Sequence, residues 1–189
     1  MVYARGAVPA ISLKGMVAPR IEPEVVLGLG ASIPGSDQAG GLRQLIERIQ
    51  WVALGFEIVD CHYPNWEFTA ADVVADFGAH AGLVIGKEMK LAGKDFDGME
   101  ERLRSFQVIL KKGRETVAVG KGENALGGPP AALRYLAQLL ERQKWAEPLR
   151  AGEVVTTGTL TPLPYIHAGE RWSVEPVGID LDTLELEFI

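Results

Sequence analysis

Residues 22–30 read Glu-Pro-Glu-Val-Val-Leu-Gly-Leu-Gly, and Val25, Val26 and Leu27 favour a strand that Gly28 and Gly30 are expected to end. Upstream, Ala10 to Met16 alternate weakly and predict a short strand. After a Pro-Gly-Ser-Asp turn at 34–37, Leu42, Leu45, Ile46, Ile49 and Val52 recur at helical spacing, with Arg43, Glu47 and Arg48 opposite them. This pattern predicts an amphipathic helix. Ala53 to Cys61 reads as a strand again, and His62 to Trp66 as a loop whose proline and asparagine interrupt regular pairing.

Thr69 to Phe77 predicts a short helix with Thr69 as its N-cap and Asp72 at the third position. The stretch from His80 to Gly86 then reads as a strand, and Gly93 to Gly98 as a polar connection. Strands over Ser105 to Lys111 and Glu115 to Val119 are joined by a Lys-Gly-Arg turn of hairpin type. The longest helix opens at Pro129 and Pro130, where a missing N–H costs nothing, and carries Leu133, Leu136, Ala137 and Leu140 on one face. Three further strands follow, in EVVTTG, RWSVEPVG and TLELEF. Strands outnumber helices, which makes the fold class α+β. No repeat or linker divides the chain, so residues 1–189 are expected to form one domain.

Composition removes several classes of function. At 47% hydrophobic and 23% charged residues, the chain is too apolar to be disordered. Lys and Arg number 19 against 25 Asp and Glu, a net charge of -6, without a basic run to track phosphates. No nucleic-acid partner is therefore expected. Cys61 is the only cysteine, which excludes an internal disulfide and fits a reducing, cytoplasmic location. Arg5, Lys14 and Arg20 interrupt the apolar residues of the N-terminus, so neither a signal peptide nor a membrane span is expected there.

The chemistry concentrates on three glutamates. Side chains alternate along a strand, so Glu22 and Glu24 project on one side with Pro23 pointing away. Two carboxylates this close repel and raise each other's pKa unless a shared proton or a hard cation intervenes. Proline also removes a ladder donor, which places this segment at an edge or a strand start. Alone, the motif reads equally as a solvated strand edge. Glu57 adds a carboxylate inside the apolar run Leu54 to Val59, where it needs a partner, although the polar face of a half-exposed strand also accommodates it.

Taken together, PRIEPEVVLGL, FEIVD, DVVADF, GKGENALGGP and GEVVTTGTLT resemble, in order and spacing from Pro19 to the C-terminus, the fumarylacetoacetate hydrolase superfamily on its hydratase and decarboxylase branch. The resemblance implies a strand-rich roll with a few packed helices. It also implies Mg²⁺ or Mn²⁺ held by Glu22, Glu24 and Glu57, with the remaining octahedral positions open to the carboxylate and keto oxygens of a small 2-oxo acid. Gly158 and Thr159 match the segment that holds the substrate carboxylate, although Thr-Thr-Gly-Thr is also what a strand leading into a turn looks like. The implied reaction is hydration of a 2-hydroxy-alka-2,4-dienoate in aromatic catabolism. Decarboxylation of a 4-oxalocrotonate-like dioate, acylpyruvate hydrolysis and a non-catalytic family member are the alternatives, and a homo-oligomer is expected.

The chain departs from that pattern in four places, one of them Gly128, which stands where relatives have a histidine before the proline. Relatives begin with an N-terminal segment ending in a catalytic lysine, and Lys14 does not match its surroundings, so the domain is expected to lack that segment. Cys61-His62 stands where relatives have Ser-Arg, and Phe77 where they have Asn. His62 is a candidate proton shuttle near neutral pH, against a structural or exposed loop histidine. Asp76 matches the family's aspartate and is a catalytic candidate, with helix capping or a buried salt bridge as its other reading. Cys61 is expected to be an inert small hydrophobe, and His80 and His167 carry no readable motif.

Overall fold

The computed structural model describes residues 2–4, 8–33 and 41–189. The turn expected at 34–37 lies outside the described residues. Two sheets carry the fold. The first holds β1 (Val2–Tyr3), β5 (His80–Ile85), β4 (Ile49–Asp60), β3 (Pro19–Leu29) and β9 (Val154–Thr156) in that order, with β6 (Met89–Lys90) pairing β4. The second has the order β2 (Ala10–Ile11), β11 (Leu184–Phe188), β10 (Arg171–Val177), β7 (Gln107–Lys112) and β8 (Glu115–Lys121). Helices α1 (Gly41–Ile46), α2 (Ala70–Ala75), α3 (Met99–Ser105) and α4 (Pro129–Arg142) complete the mixed α+β architecture. Among the described residues, no helix is long and apolar enough to cross a membrane.

Alternation along the two longest strands explains where the core sits. On β3, Ile21, Val25, Leu27 and Leu29 face inward, and on β4 Val52, Leu54, Phe56 and Ile58 do the same. They pack in one cluster with Val108, Leu110, Trp172 and Phe188 of the second sheet and with Leu103 and Leu133 of the helices. The other face of the first sheet carries Glu22, Glu24 and Val26 on β3 and Trp51, Ala53 and Glu57 on β4, and there Val26, Trp51, Ala53, Leu83 and Ile85 form a second, smaller apolar cluster.

Several expectations from sequence change at their boundaries. Strand β3 does not end at Gly28, because the Trp51 indole of the paired strand occupies the space a side chain at 28 would need; a Cβ there would lie 1.9 Å from its Cε2. The helix expected through Val52 stops at Ile46, since Ile49 and Val52 pair with Leu29 and Leu27 and are buried more completely as strand. The strand expected over Ala10 to Met16 is confined to Ala10–Ile11 by a turn at Gly15, whose φ of +91° suits glycine. Helix α3 has no counterpart among the expected elements; it starts after Gly98, whose φ is +67°, so the following strand begins at Gln107 rather than Ser105. Thr69 does cap α2, its hydroxyl accepting from the Asp72 amide while the Asp72 carboxylate accepts from the Thr69 amide.

Candidate metal centre

The antiparallel register of β3 and β4 sets Glu22 directly opposite Glu57 and Glu24 opposite Gly55. Directly opposed residues share a face, and Glu24 lies two positions from Glu22, so all three carboxylates emerge on the outer face of the first sheet. One carboxylate oxygen from each lies within 4.8 Å of the others. Glu24 is 1% exposed, while Glu22 and Glu57 are half-buried.

This is a costly arrangement without a counter-charge, because opposed like charges destabilise a strand pair. Burial, reinforced by repulsion from Glu57, pushes the Glu22 carboxyl from its ordinary 4.5 up to about 7. Burial pushes Glu24 up to about 9, against the lowering effect of the Gly158 amide, with the Glu57 and Glu22 charges adding to the rise. An all-oxygen trio in which Glu22 and Glu24 resist ionisation fits a hard divalent cation, which supplies the missing positive charge.

The loop after β9 packs against β3 at Glu24. Strand β9 pairs only with Val26 to Gly28, which leaves β3 without a strand partner on that side at Pro23, as its proline predicts. The loop occupies this open side. The Gly158 amide donates to Glu24 Oε2 at 2.8 Å, the Leu160 amide to the Pro23 carbonyl at 2.9 Å, and the Thr157 hydroxyl to the Val25 carbonyl at 2.9 Å. Gly158 has φ +101°, which favours glycine, and the Thr159 hydroxyl bonds the Thr161 carbonyl at 3.0 Å.

No family profile matches the chain. The 2-keto-4-pentenoate hydratase 2 of Dechloromonas aromatica (strain RCB) is 32% identical over 166 residues, 87% of this chain and 59% of that protein. The 2-hydroxyhexa-2,4-dienoate hydratase of Comamonas testosteroni is 30% identical over 189 residues, 100% of this chain and 67% of that protein. Among solved structures, 4-oxalocrotonate decarboxylase from Pseudomonas putida G7, complexed with magnesium and adipate, superposes with a TM-score of 0.84 at 26% identity, over 100% of this chain and 66% of that one. A structure described as a fumarylacetoacetate isomerase/hydrolase from Oleispira antarctica shares the fold at a TM-score of 0.70 and 15% identity, over 99% of this chain and 78% of that one. The chain belongs to the family of 2-keto-4-pentenoate hydratases and 4-oxalocrotonate decarboxylases, and it shares its fold with structures described as fumarylacetoacetate hydrolases. It spans 59% of the length of the first relative named here.

His62 does not join the glutamates: its Nδ1 lies 2.9 and 3.0 Å from the two Asp76 oxygens, and its Nε2 3.9 Å from Asp60. The hydrogen bond His62 donates to Asp76, together with the Asp76 charge, raises the His62 pKa above its ordinary value. Asp76 is the C-terminal cap residue of α2, and Asp60 faces away from Glu57 and accepts the Val17 and Ala18 amides. Cys61 is buried, and its thiol bonds the Tyr63 carbonyl.

Two neighbours of the trio had no signal in the sequence. His80 Nδ1 lies 2.7 Å from Glu57 Oε1. Arg20, two positions before Glu22 on the same face, stacks between the rings of Trp66 and Tyr165, 4.3 and 4.2 Å from their centroids, and donates to the Tyr165 hydroxyl at 2.9 Å. Each contact crosses between elements remote in sequence. The strand pattern that would reveal the faces of β5 is broken by an irregularity beside His80.

Proposed function

We propose that this chain carries the active centre of a metal-dependent lyase, a hydratase that adds water to a 2-hydroxy-alka-2,4-dienoate to give a 4-hydroxy-2-oxo acid. The observation that carries the reading is the convergence of three carboxylates within 4.8 Å, two of them with raised pKa values. Support for Mg²⁺ or Mn²⁺ comes from this all-oxygen donor set and from the magnesium complex of the decarboxylase that superposes on the chain. The names of the relatives support the substrate class, a small 2-oxo acid.

Glu22, Glu24 and Glu57 would hold the cation. When bound, it would polarise the keto and carboxylate oxygens of the substrate and offset the charge that builds up on them. Gly158 and Thr159 form the adjoining wall, and their loop excludes water from Glu24 and positions the substrate carboxylate. His62 and Asp76 are the candidates for proton movement. Asp76 holds the Nδ1 side of the ring and leaves Nε2 as the exchanging atom, and its hydrogen bond and charge favour the protonated ring. Net hydration consumes one water and no net proton, so a group that takes a proton and returns it satisfies the balance. A homo-oligomer acting in the cytoplasm completes the reading.

The second reading is decarboxylation of a 4-oxalocrotonate-like dioate, favoured by the TM-score of 0.84 to a decarboxylase. Incubating the chain with Mg²⁺ and each substrate separates the two: loss of the dienol absorbance without CO₂ supports the hydratase, and stoichiometric CO₂ release replaces it with the decarboxylase. Retained cation binding without turnover of any 2-oxo acid would refute both and leave a non-catalytic family member. Light scattering that gave a monomer at micromolar concentration would remove the oligomer.

A further inference from the structure

Resting on the cation site just proposed, we infer that His80 and the Gly158 amide limit Glu57 and Glu24 to one ligand oxygen each, which selects a small six-coordinate cation over calcium. His80 acts here as a positioning residue.

His80 Nδ1 lies 2.7 Å from Glu57 Oε1, and the Gly158 amide lies 2.8 Å from Glu24 Oε2. An ionised carboxylate only accepts, so Nδ1 carries the hydrogen, in the neutral tautomer or in the imidazolium. Each of these two carboxylates therefore has one oxygen engaged by a protein N–H and one left for the centre. A bidentate grip would rotate both oxygens toward the ion and pull the engaged oxygen out of line with its N–H donor, so these bonds favour the one-oxygen mode. Calcium takes six to eight oxygens and commonly uses bidentate carboxylates, whereas magnesium demands a tight octahedron at shorter distances and keeps waters. One oxygen per carboxylate matches the second kind of cation.

The position of His80 depends on a local feature of β5. Leu83 is paired with Glu57, Gly82 with Ile58, and His80 with Val59, so one residue, Ala81, is extra on β5. Strict alternation from Leu83 would put residue 81 on the Glu57 face. The irregularity brings His80 there instead, as bulges do when they re-aim a side chain. The His80 side chain is 47% exposed, and replacing it leaves the packed core untouched.

The test uses the whole chain with Mn²⁺ and Ca²⁺ alone. Mn²⁺ affinity is read by electron paramagnetic resonance and Ca²⁺ affinity by competition, in the wild type, His80→Ala and His80→Asn, whose amide N–H falls near the Nδ1 position. His80→Ala is expected to weaken Mn²⁺ about tenfold and Ca²⁺ by much less, narrowing the Mn²⁺ to Ca²⁺ affinity ratio. His80→Asn is expected to keep the wild-type ratio. Should His80→Ala fail to fold, His80→Ser, whose hydroxyl falls short of Glu57, reads the same ratio. An unchanged ratio, an equal loss of both ions, or failure of a folded His80→Asn to keep the ratio overturns the inference and leaves the cation site standing. A wild type that binds neither ion overturns both.

Discussion

Replacing Glu24 by glutamine should abolish cation binding and, in the metal-free protein, raise stability at alkaline pH. Glu24 is 1% exposed, and its carboxyl is pushed from 4.5 up to about 9. Between those values the folded state holds a proton that the unfolded chain has released, so the folded state binds more protons and stability falls as pH rises. The penalty is absent below about pH 4.5, grows through the neutral range and is complete above about pH 9. At about 1.4 kcal/mol per pH unit, it reaches roughly 6 kcal/mol at its limit and about 5 kcal/mol at pH 8.

Glutamine keeps the shape without this titration. Its carbonyl can accept from the Gly158 amide, which now donates to Glu24 Oε2, and its NH₂ can donate to the neighbouring carboxylates. Burying the amide offsets part of the gain, which leaves about 3 kcal/mol at pH 8. In a chain of 189 residues that corresponds to roughly 6–12 °C in Tm. Scanning calorimetry of both metal-free proteins from pH 4.5 to 9 should show the variant melting somewhat below the wild type at the acid end and above it at alkaline pH, the difference growing steadily in the variant's favour as pH rises. With Mg²⁺ at a hundred times its Kd, the wild type should gain about 2.7 kcal/mol and the variant nothing. Parallel profiles at every pH, or equal stabilisation of both proteins by Mg²⁺, would refute the electrostatic account of the trio.

Three further outcomes follow from the same geometry. Glu57→Gln should remain folded yet lose Mg²⁺ or Mn²⁺ binding, because removing one of three carboxylates lowers the charge compensation for the ion; equal affinity for wild type and variant in a calorimetric titration would count against the site. With Glu24 at about 9 and Glu22 at about 7, Mg²⁺ binding at pH 7 should release about one and a half protons, falling to about one at pH 8. Titrations in two buffers of different ionisation enthalpy would measure this, and identical heats would contradict it. Gly120→Ala should destabilise the fold by about 1–3 kcal/mol and weaken cation binding, since its Cβ would lie 2.1 Å from the Leu160 carbonyl oxygen in the loop that covers Glu24. Tm and Mn²⁺ affinity should fall together.

The trio was legible because it is local in the sense that a strand is local. Glu22 and Glu24 share a face by period two, and Glu57 interrupts an apolar run where an acid needs a partner. What the pattern of residues could not give was the register that sets Glu22 across from Glu57, and family resemblance supplied that pairing. The boundaries failed where two periodicities overlapped. Ile49 and Val52 fit a helix continued from Leu42, and only pairing with Leu29 and Leu27 makes them strand. Gly28 looked like a strand end because glycine is a poor strand former, whereas its missing Cβ is the space the Trp51 indole fills. His80 was invisible for a related reason: the irregularity on β5 reverses the face that simple counting assigns to it.

The same alternation fills the core and builds the site, and this explains how the fold tolerates three clustered acids. A slip of one residue between β3 and β4 would carry Glu57 onto the face now held by Phe56 and Ile58, inside the main apolar cluster. Ile21, Val25 and Leu27 hold the register from β3, and Leu54, Phe56 and Ile58 hold it from β4, each at most 1% exposed. Burying a side chain of this size contributes about 1.5–3 kcal/mol, so the six together outweigh the several kcal/mol of repulsion and desolvation at the glutamates. The carboxylates cannot separate without lifting that core apart. What remains to them is to take up a proton, as the raised pKa values of Glu22 and Glu24 record, or to take up a cation.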